Sequence, residues 1–403
     1  MLDAYIYDGI RSPIGRHAGK LAPLRPDDLA GEMIAEVVKR NGVKPEDISD
    51  VILGCVTQAG EDCRNVARFA TLMSGLPPSV PGITVNRLCA SGLQAVADAA
   101  RAITAGEGEL YIAGGVESMS RAPYVMGKAE SAYGRDMKLY DTTIGSRFTN
   151  PRFRKMYGDH AMPETGDNVA KEFGVSREQA DEFALGSQKK YAKAETEGFY
   201  KGEILEVKIP NKKRDAPPTI VAQDEHPRRD ATLESLAKLK PLYEGGVVTA
   251  GNASGVNDGA AALIIASRKW GEKNGKKPIA KILSAASAAV EPRIMGVGPA
   301  YAIPKALERA KLSLKDMDVI EINEAFASQV LGCLALMKVD FKDPRVNPNG
   351  GAIAIGHPLG CSGARLALTV SRQLEESGSK YAAVSLCIGV GQGLAVILER
   401  VQA

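Results

Sequence analysis

The sequence contains two copies of one pattern, and this internal repeat constrains the fold more than any other feature. The spacings are 268 residues from Ile52 to Ile320, 271 from Gly92 to Gly363 and 270 from Tyr111 to Tyr381. The matched segments are "PEDISDVILGCV" with "LKDMDVIEINEAF", "CASGLQAVADAARAI" with "CSGARLALTVSRQL", and "ELYIAGGV" with "KYAAVSLCIG". Strand–helix segments can look alike by chance, but three matches in one order predict two copies of a single unit.

Short apolar runs alternate with helical patterns along both copies. Helix periodicity is clearest at Leu29, Met33 and Val37, which fall four residues apart between Pro26 and Asn41-Gly42. The apolar runs are residues 51–56, 109–116, 261–267, 318–323 and 381–389. This alternation predicts an α/β fold with buried strands.

Between the two copies the sequence becomes polar and rich in proline. One helix is predicted there, because Ser176 and Gln179 stand three apart as in a capping box. We therefore predict a first half from residues 1–120 and 244–275, an inserted loop domain over 121–243, and a second half over 276–403. Long insertions on a rigid scaffold commonly carry ligand contacts, so we expect this one to contribute to substrate binding and to contacts between subunits.

Composition excludes several classes of function. A net charge of +3 over 403 residues predicts no nucleic-acid partner, and no apolar run reaches the roughly 18 residues of a membrane span. The N-terminus reads as a strand and not as a signal peptide, so we expect a cytoplasmic protein. None of the six cysteines forms a C-x-x-C pair, so we expect no metal site and no disulfides, and we assign Cys55, Cys63, Cys333 and Cys361 to packing.

The segment "NRLCASGLQA" places Cys89 where strand-like sequence becomes helical. A cysteine there is often only a small buried residue. A helix N-terminus, however, favours negative charge and lowers the pKa of a thiol. Cys89 is therefore a candidate nucleophile.

Three other segments qualify as parts of a reactive site. The glycine-rich "NPNGGAIAIGHPLGCSGA" places His357 before a helix, as Cys89 is placed in the other copy, so pseudo-symmetry would bring the two loops together. Cys387 ends an apolar strand in "SLCIGVGQG", where glycines permit close approach to a ligand. Asn323 follows a strand in "EINEAFA". Each also has a plain interpretation: a structural histidine, a core cysteine and a helix cap.

Together these segments resemble the thiolase family along essentially the whole chain. The resemblance is carried by "NRLCASGLQA", "GGVESMSRAP", "TAGNASGVNDGAAA", "NEAFA", "NPNGGAIAIGHPLG" and "CIGVGQG". It implies two βαβαβαββ halves in a five-layer αβαβα body, an inserted loop domain and a homo-oligomer, either a dimer or a tetramer. It also implies acyl-CoA substrates, with coenzyme A as co-substrate and no permanently bound cofactor.

The resemblance implies a role for each matched residue. Cys89 corresponds to the acylated nucleophile, His357 to its base, Cys387 to the acid/base at the α-carbon, and Asn323 to the residue that holds a water in one oxyanion hole. The backbone N–H groups of Cys89 and Gly389 correspond to a second oxyanion hole. The residues that correspond to coenzyme A contacts are Arg228, Ser235 and Ser254.

Finer features bear on the substrate. Met162 is preceded by Ala161 where biosynthetic acetoacetyl-CoA thiolases usually have histidine. Val390 and the segments "MPET", "DTTIGSRFTNP", "AGEDCRNVAR" and "VEPRIMG" most resemble thiolases that cleave 3-oxoadipyl-CoA to succinyl-CoA and acetyl-CoA. A distal carboxylate suits an arginine, and Arg147 is the candidate ahead of Arg152 and Arg154. The alternative is that this basic loop makes subunit contacts.

Other functions remain open at this point. The substrate could instead be acetoacetyl-CoA or a general 3-oxoacyl-CoA, and the chain could be an acyl-CoA-binding homologue without activity. A decarboxylating condensing enzyme would share the fold but lack a counterpart of Cys387. A Rossmann dehydrogenase is disfavoured because the glycine fingerprint is absent.

Overall fold

The computed structural model describes residues 1–211 and 216–401. The predicted insertion and the predicted second half therefore each include a few residues outside the described part. The strands are β1 (Ala4–Arg11), β2 (Gly15–Arg16), β3 (Asp50–Gly54), β4 (Ile83–Val85), β5 (Leu110–Ser118), β6 (Tyr124–Met126), β7 (Leu139–Asp141), β8 (Val207–Ile209), β9 (Thr219–Val221), β10 (Asn257–Ala266), β11 (Ala280–Ala289), β12 (Val319–Ile322), β13 (Tyr381–Ile388) and β14 (Gln392–Arg400).

The α-helices lie between these strands, and short 3₁₀ turns join several of them. They are α1 (Pro26–Asn41), α2 (Val66–Met73), α3 (Ser91–Ala105), α4 (Pro151–Tyr157), α5 (Met162–Phe173), α6 (Arg177–Thr196), α7 (Leu233–Ala237), α8 (Arg268–Lys273), α9 (Gly298–Ala310), α10 (Ala327–Met337), α11 (Ala352–Ile355) and α12 (Leu359–Ser377).

The main sheet is arranged symmetrically about its centre. Its strands run in the order β12-β13-β14-β11-β1-β10-β5-β3-β4, with β2 beside β10. The central pair β1 and β11 is antiparallel, while β3 runs parallel to both β5 and β4, and β12 runs parallel to β13. Reading outward from the centre, the first half is β1-β10-β5-β3-β4 and the second is β11-β14-β13-β12, so the two halves share one topology.

The three repeated segments occupy equivalent places in the two halves. The first pair forms a 3₁₀ turn followed by β3 or β12, the second forms α3 and α12, and the third forms β5 and β13. The predicted repeat is thus confirmed. One element differs between the halves. The counterpart of β4 in the second half is only a single β-bridge between Ile320 and Val346, because the chain then enters a glycine-rich loop.

Side chains alternate between the two faces of each strand, and the helices that cover these faces complete five layers. In β10, Leu263 and Ile265 face the central helices α3 and α12, whereas Ala262 and Ile264 face α1 and its neighbours. In β14, Val396 joins the same central cluster, and its neighbours face α9 and α10. The order of layers is therefore helix, strand, helix, strand, helix, as expected of the thiolase fold.

Helix ends follow the rules used to predict them. The helix predicted around residues 29–37 is α1, with Pro26 at its start and Gly42 in the left-handed conformation (φ 62°) at its end. The capping box of Ser176 and Gln179 opens α6, where the hydroxyl of Ser176 accepts the N–H of Gln179. Both predictions are confirmed.

A buried ion-pair network joins β1 to two residues of the predicted insertion. The guanidinium of Arg11 is fully buried and donates to Glu203 at 2.6 Å and to Asp224 at 2.7 Å and 3.0 Å. Asp224 also accepts the backbone N–H of Ile14 at 2.7 Å and the hydroxyl of Tyr191 at 3.0 Å. The charges of Asp224 and Glu203 raise the pKa of Arg11 although burial opposes them, so the network keeps its charge.

All six cysteines are free. Cys55, Cys333 and Cys361 are buried as predicted, but Cys63 is exposed, so its assignment to packing was wrong. Cys63 lies in the turn before α2, where its N–H donates to the carbonyl of Gly60 and its side chain faces outward.

Over residues 1–211 and 216–401, none of the helices combines the length and the apolar character needed to span a bilayer.

Glycines allow the backbones of the central helices α3 and α12 to contact each other and the backbones of neighbouring strands. A methyl group on Gly92 of α3 would lie 2.6 Å from the carbonyl oxygen of Gly360 in α12. A methyl group on Gly360 would lie 2.5 Å from the carbonyl of Val116 in β5, and one on Gly115 would overlap the carbonyl of Gly360. Such distances exclude any side chain, so the first turns of α3 and α12 are held together by glycine.

This packing predicts that Gly115→Ala lowers the free energy of unfolding by about 1–3 kcal/mol, because overpacking forces the backbone to move. Gly186→Ala in α6 is the matched control, since a methyl group there meets nothing within 4 Å. The control should raise stability by about 0.5–1 kcal/mol, as alanine favours helix over glycine. Denaturant unfolding checks both, and equal stabilities for the two variants would contradict the close approach.

Candidate active site

Two loops meet where the central helices begin. Cys89 lies two residues before the start of α3, and His357 lies two residues before the start of α12. The first turns of these helices are in contact through Gly92 and Gly360. The structure thus brings together the loops that pseudo-symmetry predicted to meet. Cys89 is half-buried, whereas His357 is buried.

The surroundings of Cys89 differ from the expectation of a stabilised thiolate. Burial raises the pKa of Cys89, and the charge of Glu117 adds to the rise. The backbone N–H groups of Gly389 and of Cys89 itself oppose it, but burial is the larger effect. The expected lowering of this pKa by the helix start is therefore wrong, and Cys89 is a neutral thiol at pH 7. The preceding residue, Leu88, has φ 47°, which bends the chain sharply into the helix.

Hydrogen bonds define the tautomer of His357. Its Nδ1 lies 2.6 Å from the hydroxyl of Ser362, and that hydroxyl donates to the carbonyl of Pro358 at 2.8 Å. Because the hydroxyl proton is used by Pro358, Ser362 accepts at its oxygen and Nδ1 carries the imidazole proton. Nε2 of His357 is therefore unprotonated and carries a lone pair that can accept a proton or a hydrogen bond.

His357 is also kept neutral. Burial lowers its pKa to about 3, and the positive charge of Arg365 contributes. The backbone N–H of His357 donates to Oδ1 of Asn257 at 2.9 Å, which ties the loop to the first half. A neutral imidazole with its lone pair on Nε2 can take a proton from a nearby thiol.

Asn323 faces His357 from the end of β12. Its Nδ2 lies 3.4 Å from Nε2 of His357, and its backbone N–H donates to the carbonyl of Ser385 at 2.9 Å. Its Oδ1 is buried and has no hydrogen-bond partner among the described residues. A buried amide oxygen requires a donor, and a water molecule would supply one. Asn323 thus fits the predicted role of holding a water beside His357.

A second polar network fixes Asn323 and the loop before His357. The carboxylate of Glu324 accepts the hydroxyl of Ser187 at 2.6 Å, Nδ2 of Asn347 at 2.9 Å and the N–H of Ile353 at 3.1 Å. Oδ1 of Asn347 accepts the N–H of Ile322 at 2.8 Å. Because Ser187 belongs to α6, the inserted segment also holds these loops in place.

Cys387 lies at the end of β13, fully buried within an apolar cluster. Its neighbours in that cluster include Met295 and Phe326, with Met162 packed against them. Burial raises the pKa of Cys387 well above the ordinary value, and the nearby Cys89 contributes. Cys387 is therefore protonated and can act as a proton donor next to Cys89.

The turn after Cys387 brings backbone donors to Cys89. Gly389 packs against Leu88, since a methyl group on Gly389 would lie 3.2 Å from Cδ1 of Leu88. The N–H group of Gly389 reaches the thiol of Cys89. Val390 follows with φ 64°, a conformation that is strained for a β-branched residue.

The three residues matched to coenzyme A contacts differ in their exposure and in their hydrogen bonds. The backbone N–H of Ser254 donates to the carbonyl of Ala325 at 2.9 Å, so Ser254 lies beside the Asn323 loop. Arg228 is exposed, and its N–H donates to the side-chain oxygen of Gln188 at 2.8 Å. Ser235 is exposed and forms a capping box with Thr232 at the start of α7.

Arg147 comes from the inserted segment and contacts the first half. Its guanidinium donates to the carbonyl of Thr57 at 3.0 Å. Arg152 and Arg154 are exposed, and Arg154 pairs with Asp159 at 2.7 Å. Of the three arginines considered, only Arg147 is partly buried against the loop after β3.

Sequence reasoning missed several residues that organise the site. Ser362 follows His357 by five residues, and Asn257 and Glu117 end or begin strands that otherwise read as apolar. For Asn257 and Glu117 a signal was present, since a polar residue in a buried strand requires a partner. Which partner it finds could not be read from the sequence.

Comparison with known proteins shows the family of the chain. The N-terminal thiolase domain family matches residues 4–269, and the C-terminal thiolase domain family matches residues 276–400. A "Beta-ketoadipyl-CoA thiolase" of Acinetobacter baylyi is 56% identical over 403 residues, covering all of both chains. A "3-oxoadipyl-CoA/3-oxo-5,6-dehydrosuberyl-CoA thiolase" of Escherichia coli K12 is 57% identical, again over all of both chains.

Solved structures give the same result. The crystal structure of the Bacillus anthracis acetyl-CoA acetyltransferase matches with a TM-score of 0.92 and 38% identity, covering 100% of this chain and 99% of that one. Both family matches, the full-length relatives and the fold agree with the resemblance that the sequence motifs predicted. The chain is an acyltransferase and belongs to the thiolase family.

Proposed function

We propose that the protein cleaves 3-oxoadipyl-CoA with coenzyme A, giving succinyl-CoA and acetyl-CoA, through an acyl group carried on Cys89. The observation that carries the substrate is the full-length identity of 56% and 57% to thiolases named for that substrate, against 44% to an "Acetyl-CoA acetyltransferase" of Cupriavidus necator. The chemistry is supported by the meeting of the Cys89 and His357 loops. Coenzyme A is a co-substrate here, and no permanently bound cofactor enters the proposal.

Acylation begins with both Cys89 and His357 uncharged. Nε2 of His357 is unprotonated, and the pKa of Cys89 is raised by burial, so the proton moves from Sγ to Nε2 as the thiol attacks. The attacked atom is the 3-oxo carbon. Breaking the bond between C2 and C3 then leaves a succinyl group on Cys89 and the enolate of acetyl-CoA.

The enolate needs stabilisation at its oxygen and a proton at its carbon. His357, now protonated at Nε2, and a water on Oδ1 of Asn323 are the donors to the oxygen, because the two side chains face each other at 3.4 Å. Cys387 gives its proton to the carbon and later takes one from the incoming coenzyme A thiol. Its raised pKa suits the first step.

The tetrahedral intermediate on Cys89 has its own donors. The N–H groups of Cys89 and Gly389 already reach the Cys89 sulfur and so point toward any oxygen attached next to it. Removing one such donor typically costs about 10² to 10³ in rate. Backbone donors are held by the strained turn at Val390 and by the bend at Leu88.

Coenzyme A binds along the inserted segment in this proposal. Arg228 is exposed and available for a phosphate, Ser254 lies beside the Asn323 loop, and Ser235 lies at the exposed start of α7. Met162 packs on the apolar cluster that contains Cys387 and provides an apolar wall for the reacting chain.

The distal carboxylate of the substrate is proposed to pair with Arg147. Arg147 is held on Thr57, whose own N–H donates to Glu117, and Glu117 also accepts the N–H of Gly360 next to the His357 turn. A chain of three hydrogen bonds thus links Arg147 to the first turn of α12, three residues from His357, and this link supports the proposal. An arginine there offers a bidentate partner to a carboxylate.

The wider setting is also proposed. Residues 121–243 act as the inserted loop domain of two thiolase halves, and the protein works in the cytoplasm as a homo-oligomer, a dimer or a tetramer. Supporting an interface with a second copy, β4 pairs with β3 on one side only, and Ile83 of β4 and Phe69 of α2 are exposed.

Thiolysis of a panel of substrates at fixed coenzyme A tests the proposal. We expect kcat/KM for 3-oxoadipyl-CoA to exceed that for acetoacetyl-CoA by about 10- to 100-fold, because a charge-assisted hydrogen bond contributes about 1.5–3 kcal/mol. A longer unbranched 3-oxoacyl-CoA without a distal charge is the control for chain length. A preference for acetoacetyl-CoA would overturn the substrate while leaving the chemistry on Cys89 intact.

Arg147→Ala tests the carboxylate partner. We expect about a 10- to 100-fold loss of kcat/KM on 3-oxoadipyl-CoA and less than a twofold change on acetoacetyl-CoA, which has no distal carboxylate. Arg154→Ala is the control, since Arg154 is exposed and paired with Asp159. Equal losses on both substrates would show that Arg147 holds the loop without recognising the carboxylate.

A further inference from the structure

Glu117 is a fully buried carboxylate that the reaction does not use. It lies near the end of β5, and Oε2 accepts the N–H of Val56 at 3.1 Å and the N–H of Gly360 at 2.8 Å. Oε1 accepts the N–H of Thr57 at 3.0 Å. Burying a carboxylate is costly unless its oxygens are satisfied, so this side chain must be held for a reason.

The three donors come from both halves of the molecule. Val56 and Thr57 belong to the loop after β3 in the first half, whereas Gly360 lies in the first turn of α12 in the second half. Gly360 is three residues from His357. Glu117 therefore forms a direct polar link between the first half and the turn that carries the imidazole.

The link is made mainly by backbone groups, although the side chain of Thr57 also hydrogen-bonds Glu117 and the Cys55 thiol lies 4.0 Å from Oε1. Over residues 1–211 and 216–401, no lysine or arginine forms an ion pair with Glu117. Burial raises its pKa to about 7, while the N–H groups of Thr57 and Gly360 oppose that rise. The N-terminal turn of α12 favours negative charge, which also supports the ionised form.

A cation site is the competing explanation. Cys55, Asp62 and Glu117 offer three ligand atoms within 4.8 Å of one another. However, Asp62 accepts the N–H groups of Gln58 and Gly60 at 3.1 Å and 3.0 Å, and Glu117 accepts three more. With the carboxylates already engaged by the backbone, the cluster serves as a brace between loops.

We propose that Glu117 is a positioning residue for the reaction: its carboxylate holds the turn from His357 to Gly360 against the first half and so sets the approach of Nε2 to the Cys89 thiol. This inference rests on the proposed role of His357 as the base. Glu117 itself touches neither substrate nor the reacting atoms. A misplacement of about 1 Å in such a group can cost about 100-fold in rate.

Glu117→Gln tests the inference with little change of shape. An amide has one accepting oxygen: in the place of Oε2 it still accepts from Val56 and Gly360, but its NH₂ group then faces the N–H of Thr57, which loses its acceptor and weakens the link. We expect kcat to fall about 10- to 100-fold, with KM for coenzyme A and for the acyl-CoA within about twofold. Glu117→Asp keeps the charge but shortens the reach, and it should show a smaller loss of kcat. The Asp variant also serves if the Gln variant fails to fold.

Glu203→Gln is the matched control. Glu203 is also a fully buried carboxylate, but it binds Arg11 and Thr369 away from the reactive loops. It should lower Tm while leaving kcat within about twofold. If the Glu117 variants likewise lower Tm and leave kcat unchanged, Glu117 is only structural and the inference is overturned.

His357→Asn separates this inference from the proposed function. If the base is correct, this variant loses acylation of Cys89 whatever Glu117 does. If His357→Asn acylates at the normal rate, the proposed base is wrong, and the Glu117 inference fails with it. Normal kcat in the Glu117 variants together with loss of acylation in His357→Asn would overturn only the positioning role.

Discussion

The contact between the first turns of α3 and α12 is the constraint on which the rest of the structure depends. A methyl group on Gly92 would lie 2.6 Å from the carbonyl oxygen of Gly360 across this contact, and one on Gly360 would lie 2.5 Å from the carbonyl oxygen of Val116 in β5. Because each helix follows a loop that carries one reactive side chain, this contact brings Cys89 and His357 to one place. Without it, the two halves would be separate α/β units with incomplete sites.

Burial then decides how the site reacts. The pKa of His357 is lowered to about 3 and that of Cys89 is raised, so both groups are neutral at pH 7. A neutral thiol is a poor nucleophile, so the proposed reaction requires proton transfer to Nε2 during the attack. The same burial strengthens the donors that meet the developing negative charge, since they act in a medium of low dielectric constant.

Much of the fold could be predicted from the sequence, because periodicity and repeats are local signals. The helix start at Pro26, the capping box at Ser176 and the two-copy architecture all follow from residue spacing. The resemblance to thiolases further named the residues that form the candidate site. The protonation state of Cys89 could not be predicted, because it depends on burial by distant elements. The same is true of Glu117, whose three donors are separated from it by 60 residues or more along the chain.

The central claim is that Cys89 carries the succinyl group of 3-oxoadipyl-CoA. Mass spectrometry of the protein mixed with 3-oxoadipyl-CoA in the absence of free coenzyme A tests it most directly. We predict one succinyl group per chain, on the peptide that contains Cys89, and its loss when coenzyme A is added. A succinyl group on another residue, or none while the substrate is still cleaved, would contradict the account.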